Sequence, residues 1–328
     1  MVAELVTGRL ADLDEEGLTI VSGEAAKRPE RWRDSLRDAV DDSSTVNVQA
    51  AHLLEAIGTR DDVARLRTVA KGRRGHTDAN LGRSLAHRVA DRVVVEDQSR
   101  VSISVGGRSI EGASIRRKVL ALLCYLISRP RFSATRDEVL DALWPDVDPA
   151  DALNSLNQTV YFLRRIFEPA FHEDLSPGYL NHESDVVWLN QSLVTSRSQR
   201  CWDLIRAMPP NPSPASVADL SSAYVGPFVL DFAYEDWAFG YRANLQSSYL
   251  QIVEKSIRSD TASGHFERGI DLARRALDAC PDADGIELSL LQLYKLSGSH
   301  AAASEQYAHY SAWLRESLGI EAPSLESL

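Results

Sequence analysis

The stretch Thr135–Phe167, "TRDEVLDALWPDVDPADALNSLNQTVYFLRRIF", decides the fold. Thr135 and Glu138 have the spacing of a reciprocal capping box, so a helix starts beside them. Pro145 stops that helix just after Trp144, because proline lacks the amide proton and clashes with the preceding turn. Asp148 then suits an N-cap and Pro149 a first turn, opening a longer helix that runs to about Phe167. At 100° per residue, Leu153, Leu156, Val160, Leu163 and Phe167 form one apolar stripe. Asn154, Gln158, Tyr161 and Arg165 fall opposite it, and Arg164 lies at the edge of the stripe. Amides of this kind suit adenine edges, and an arginine suits guanine or phosphate. A polar stripe is also what a solvated helix shows. Here no acid occurs from Asn154 through Arg165, and an acid-free face sits comfortably against phosphates.

The period changes on either side of this helix pair. Val101–Ile110, "VSISVGGRSI", alternates apolar and polar residues around Gly106-Gly107 and reads as a short hairpin. A helix over Ile115–Ile127 follows, with Arg116, Arg117 and Lys118 at its start and an apolar body. Beyond Phe167, "GYLNHESDVVWLN" (Gly178–Asn190) has two strand-like arms around a Glu183-Ser184-Asp185 tip. Strands, three helices and a terminal hairpin, in that order, match a winged helix-turn-helix. Charge agrees: Arg108 to Arg136 holds seven cations against Glu111 alone, whereas Asp203 to the end holds seventeen acids and nine bases. The net −11 of the 328-residue chain therefore hides a basic middle and an acidic tail.

The flanks read as helical. Val48–Ile57 and Val63–Val69 carry apolar residues at helical spacing, broken by Gly58-Thr59, and "AAHLLEAIGTRDDVARLRTVAKG" resembles one HEAT-like unit. Lys71, Arg73 and Arg74 read better as a solvated loop than as a DNA contact, and His52, His76 and His87 lack ligand spacing. Behind the Pro-rich connector Pro209–Pro214, Gly264 and Gly298 stand 34 residues apart. Phe266, Gly269, Ala276 and Pro281 follow the first glycine as in half of a tetratricopeptide repeat, and His300, Ala303 and Tyr310 give a degenerate second copy. The expected fold class is mainly α with small β elements: a helical N-terminal region (1–97), a winged helix (98–193) and tetratricopeptide-like helical repeats (194–328). The winged-helix segment is expected to fold alone, with the connector as a breakable boundary.

"RRKVLALLCYLISRP" and the Thr135–Phe167 stretch, with "LWPD", "NSLNQTVYFLRR" and "GYL" in order, resemble the OmpR-type winged helix of SARP-type regulators (Streptomyces antibiotic regulatory proteins). "YVGPFVLDFAYEDWAFGYRANLQSSYLQIVEK", "GHFERGIDLARRALDACPD" and "LRESLGIEAPS" resemble the bacterial transcriptional activator domain behind it in those proteins. The resemblance spans about residues 98–328. It implies double-stranded DNA as a partner, bound at promoter repeats, and activation through RNA polymerase. It places the reading helix at Asp151–Phe167 and phosphate contacts at Arg116, Arg117 and Lys118. Two departures stand out. Residues 1–97 are extra, and Glu183 and Asp185 at the wing tip disfavour minor-groove insertion.

Other classes find less support. No H-E-x-x-H, G-x-S-x-G, paired-cysteine or phosphate-loop motif occurs, so no enzyme, cofactor or metal is expected. The scattered Cys124, Cys201 and Cys280 suit a reduced compartment. The longest apolar run, Val119–Ile127, is too short for a membrane span, and no leader is evident, so a cytoplasmic protein is expected. The alternatives kept open are a signalling scaffold and a metabolite sensor built on the helical repeats. For the sensor, Trp237, Tyr241, Tyr249, Tyr294 and Tyr307 supply aromatic surface, although such spacing more often means core. A homodimer is kept among the partners.

Overall fold

A computed structural model describes residues 2–42, 48–71 and 80–325. Arg73, Arg74 and His76, named above, lie outside the described residues. In chain order the helices and strands are α1 (Val2–Thr7), α2 (Glu15–Lys27), α3 (Arg33–Asp41), α4 (Val48–Ile57), α5 (Asp62–Lys71), α6 (Arg83–Arg88), β1 (Val93–Glu96), β2 (Ser102–Val105) and β3 (Arg108–Glu111). There follow α7 (Arg117–Ile127), β4 (Ser133–Thr135), α8 (Arg136–Leu143), α9 (Pro149–Phe167), β5 (Leu180–Glu183), β6 (Val186–Leu189) and β7 (Val194–Ser196). The rest is helical: α10 (Arg197–Ala207), α11 (Pro214–Ala223), α12 (Asp236–Ala262), α13 (Phe266–Ala279), α14 (Asp284–Leu296) and α15 (His300–Leu318). The described residues are mainly helical with small sheets, as expected, and carry three helices (α7 to α9) and a hairpin (β5–β6) in the expected winged-helix order, with helical repeats behind them. Contacts divide it into two compact units, Met1–Val93 with Ala150–Val194, and Val94–Pro149 with Thr195–Leu328.

In the first unit, α2 to α6 bury Leu36, Leu54, Leu66 and Leu85 in a common core. The start of α5 is pinned by a buried carboxylate. Asp62 accepts from Arg37 Nε at 2.7 Å, Arg65 Nη1 at 3.0 Å and Thr59 N at 2.9 Å. Burial alone would raise its pKa, but the bonds from Arg37 and Thr59 outweigh that and hold it at about 2. The same unit contains α9 and the antiparallel hairpin β5–β6, whose register pairs Leu180 with Leu189 and Glu183 with Val186. Phe167 and Tyr179 meet at 5.7 Å between ring centroids.

In the second unit, β3-β2-β1-β7 form a four-stranded sheet, with β2 and β3 pairing Ser102 to Glu111 and Val105 to Arg108. The capping box of Thr135 and Glu138 is present at the start of α8. Cys124 and the rest of the apolar body of α7 are buried. The segment after β1 is stitched to the segment before α12, which the expected boundary at the proline-rich connector does not anticipate. Ser99 N donates to Pro227 O at 2.7 Å, Val229 N to Asp97 O at 2.9 Å and Leu230 N to Ser99 O at 2.7 Å. The fully buried Asp97 carboxylate accepts from the Ser196 and Ser198 hydroxyls, each at 2.6 Å, and from Ser198 N at 2.9 Å.

The 34-residue period is real in the backbone. Gly264 and Gly298 have φ of +72° and +74°, a left-handed turn that glycine adopts without a Cβ clash. Equivalent closing bonds run from His265 N to Asp260 O at 2.8 Å and from Ser299 N to Tyr294 O at 2.9 Å. Gly269 and Ala303, at the same place in the two copies, are both buried.

Candidate nucleic-acid interface

The long helix α9 has the two faces that its sequence predicts. Leu156, Val160, Leu163 and Phe167 are buried, joined by Ala152 and Thr159. Asn154, Gln158, Tyr161 and Arg165 are all exposed on the other side. Asn157 is exposed too. It lies about 60° from Asn154 at 100° per residue, so the periodicity contained it at the margin of the face. Thr159 instead turns inward and bonds to its own helix through Ser155 O at 2.7 Å.

Two arginines at the end of α9 differ in surroundings. Arg165 stays at the surface, its guanidinium 5.9 Å from the centroid of the Tyr161 ring. The two side chains therefore form a joint flat surface with one positive end. Arg164 is half-buried. Its Nε donates to Leu180 O at 3.1 Å, and its guanidinium sits 5.2 Å from the centre of the Phe171 ring. It thus joins α9 to the first strand of the hairpin. The acidic tip residues Glu183 and Asp185 are exposed.

Arg116, Arg117 and Lys118 belong to the second unit, and all three are exposed. Arg117 is salt-bridged to Glu235 at 2.8 Å and lies 4.9 Å from the centroid of the Phe232 ring. Lys118 donates from Nζ to Leu143 O, with the ammonium 5.6 Å from the Trp144 ring centre. Both already hold partners within the protein, which the charge count could not show.

The second unit also holds a groove of about 280 Å³ between α11, α12 and α13, with Asn211, Val217, Lys255 and Arg275 among its walls. Several of the aromatic residues suspected of lining a pocket are core instead. Tyr249 stacks on Tyr224 at 4.1 Å, Tyr241 packs on Phe228 at 4.5 Å and Trp237 meets Tyr125 edge-on. Among the described residues, no group of three or more His, Cys, Asp or Glu side chains could hold a metal ion. No described helix is long and apolar enough to cross a membrane.

Comparison with known families bears on the tail. Residues 206–328 match the bacterial transcriptional activator domain. In this chain that domain lies behind the strand, helix and hairpin elements described above. No curated protein matches this chain. A solved structure, Mycobacterium tuberculosis EmbR in complex with a low-affinity phosphopeptide, is similar at 17% identity with a TM-score of 0.49. The similarity covers 72% of this chain and 64% of that chain, so less than two thirds of that chain's length is spanned.

Proposed function

We propose that this chain is a SARP-type regulator that binds double-stranded DNA in a sequence-selective way through α9 and activates transcription by presenting its activator domain to RNA polymerase. One observation carries the reading: an acid-free, exposed face of Asn154, Gln158, Tyr161 and Arg165, held out by a buried apolar stripe on the same helix. Such a face can enter the major groove, where amides and guanidinium groups distinguish base edges. Arg116, Arg117 and Lys118 are proposed as phosphate contacts, with Arg117 and Lys118 exchanging protein partners for phosphate. Arg164 is assigned to the same interface as the residue that joins helix to wing. Functionally the chain divides into a helical region (1–97), a DNA-reading domain (98–193) and an activator domain (194–328). A protein acting on promoters and polymerase works in the bacterial cytoplasm, and adjacent promoter repeats would bring two copies together.

The test is selection of sites from a random duplex library with the full chain, followed by titration of Gln158→Ala and Arg165→Ala. A selected motif, lost preferentially by these variants, supports the reading. No enrichment, or variants that bind the motif as wild type does, sinks it.

The groove favours a second reading, in which the activator domain also takes a small ligand or peptide. Its size is at the lower end of ligand pockets, and its walls mix apolar and charged groups. Lys255→Ala and Arg275→Ala would then impair activation without changing DNA affinity. Unchanged activation removes this reading.

A further inference from the structure

The N-terminal helices have no assigned role, yet one buried arginine connects them to the element that follows the reading helix. Arg67, on α5, is only 6% exposed. Its Nη1 donates to Leu81 O at 3.1 Å and its Nε to Asp174 O at 3.0 Å. Asp174 lies on the loop between α9 and β5. Its carboxylate is 2.5 Å from Lys71 Nζ and 3.9 Å from Arg67 Nη2. Gly82 packs directly on the arginine stem, where a Cβ would come within 3.1 Å of Arg67 Cδ and of Leu66 Cβ. Gly82 N in turn donates to Glu55 Oε1 at 2.8 Å. The guanidinium is thus held from below by the helical core and aimed at the loop.

The loop passes that hold on in both directions. Toward α9, the Ser176 hydroxyl donates to the half-buried Glu168 carboxylate at 2.7 Å, one residue beyond the helix. Toward the wing, Gly178 N donates to Ser176 Oγ at 3.1 Å, and Asn181 Nδ2 donates to Gly178 O at 2.9 Å. Tyr179 adds a second tie, its hydroxyl donating to Asp91 O at 2.6 Å. Were Arg67 only core filling, an apolar side chain would avoid the cost of desolvating a charge. A rigid fork of donors reaching two carbonyls instead fixes direction.

We propose that Arg67 is a positioning residue for DNA reading: through Asp174 it sets where the wing stands relative to the exposed face of α9, and residues 2–93 are part of the reader. This rests on α9 being the DNA-reading helix. The predicted consequence is on selectivity, because a displaced wing spoils the fit to one site more than the general attraction to phosphates.

The experiment uses the full chain with Arg67→Met, Arg67→Lys and the double change Lys71→Ala with Asp174→Ala. Amide exchange over residues 168–183 is measured without DNA, and affinities are measured for the selected duplex and a random one. For Arg67→Met, exchange over the loop and wing should rise and the ratio of selected to random affinity should fall by about tenfold, the size of one lost charge-assisted hydrogen bond. Arg67→Lys, which keeps one donor, should recover part of both. If Arg67→Met does not fold, the double variant at the exposed end of the contact must show the same two changes, smaller. Unchanged exchange overturns the coupling, and faster exchange with an unchanged affinity ratio overturns its role in reading. A wild-type chain without site preference removes the reading of α9 and the DNA role of Arg67 together, while exchange still reports whether Arg67 holds the loop.

Discussion

Arg164 Nε donates to Leu180 O across 3.1 Å, joining the last turn of α9 to the first residue of the β5–β6 hairpin. The bond is charge-assisted and half-buried, so replacing Arg164 by Ala should cost about 1–2 kcal/mol locally. Melting and amide exchange on Arg164→Ala would show this as faster exchange in β5 with the helical N-terminal core unchanged. Exchange identical to wild type would mean that the hairpin stands without the bond.

The two faces of α9 should respond differently to truncation. Leu156 is fully buried, and Leu156→Ala should lower stability by about 2–5 kcal/mol. Gln158→Ala and Arg165→Ala, at the surface, should leave the melting temperature nearly unchanged and weaken the selected site by about 1–3 kcal/mol each. Melting curves and binding titrations on these three variants check both halves.

Salt dependence separates phosphate contacts from base contacts. Changing Arg116, Arg117 and Lys118 together to Ala should weaken selected and random duplexes alike, and should flatten the slope of log affinity against log salt by about one unit per lost phosphate. An unchanged slope would assign the whole cluster to contacts within the protein.

Acid should loosen the N-terminal helices through Asp62. Its folded pKa of about 2 is depressed below the ordinary value, so its contribution is complete above pH 4 and is lost as pH falls through 2. The shift corresponds to about 2 kcal/mol, and Asp62→Asn should show that deficit at pH 7 but little of it near pH 2. A deficit independent of pH would mean that shape, and not charge, matters there.

Truncation after Pro209 should damage the winged-helix elements as well as remove the tail. The chain would lose the backbone partners of Ser99 and Asp97 at Pro227, Val229 and Leu230. Faster amide exchange through β1 and β2 of the truncated chain is the expected outcome. Native-like protection there would restore the independent domain that the sequence suggests. Asp97→Ala in the full chain should act in the same direction, since it leaves the Ser196 and Ser198 hydroxyls and Ser198 N without their acceptor.

What the sequence by itself determined is local and periodic. The capping box at Thr135 and Glu138, the span Pro149–Phe167, the hairpin arms around Glu183-Ser184-Asp185 and the glycine pair Gly264 and Gly298 all follow from short-range rules of backbone geometry and apolar repetition. The exposed quartet on α9 was legible for the same reason, because one helix of fixed pitch carries all four residues. Only the tertiary structure decided which partners the charged side chains take. Arg67 meets Asp174 across 107 residues of chain, Arg117 meets Glu235 across 118, and Asp97 gathers Ser196 and Ser198 from a strand and helix far along the sequence. A charge count treats each cation as free, whereas the acceptor that each one meets is chosen by how distant elements pack, and burial forces the pairing at Arg67 and Asp97.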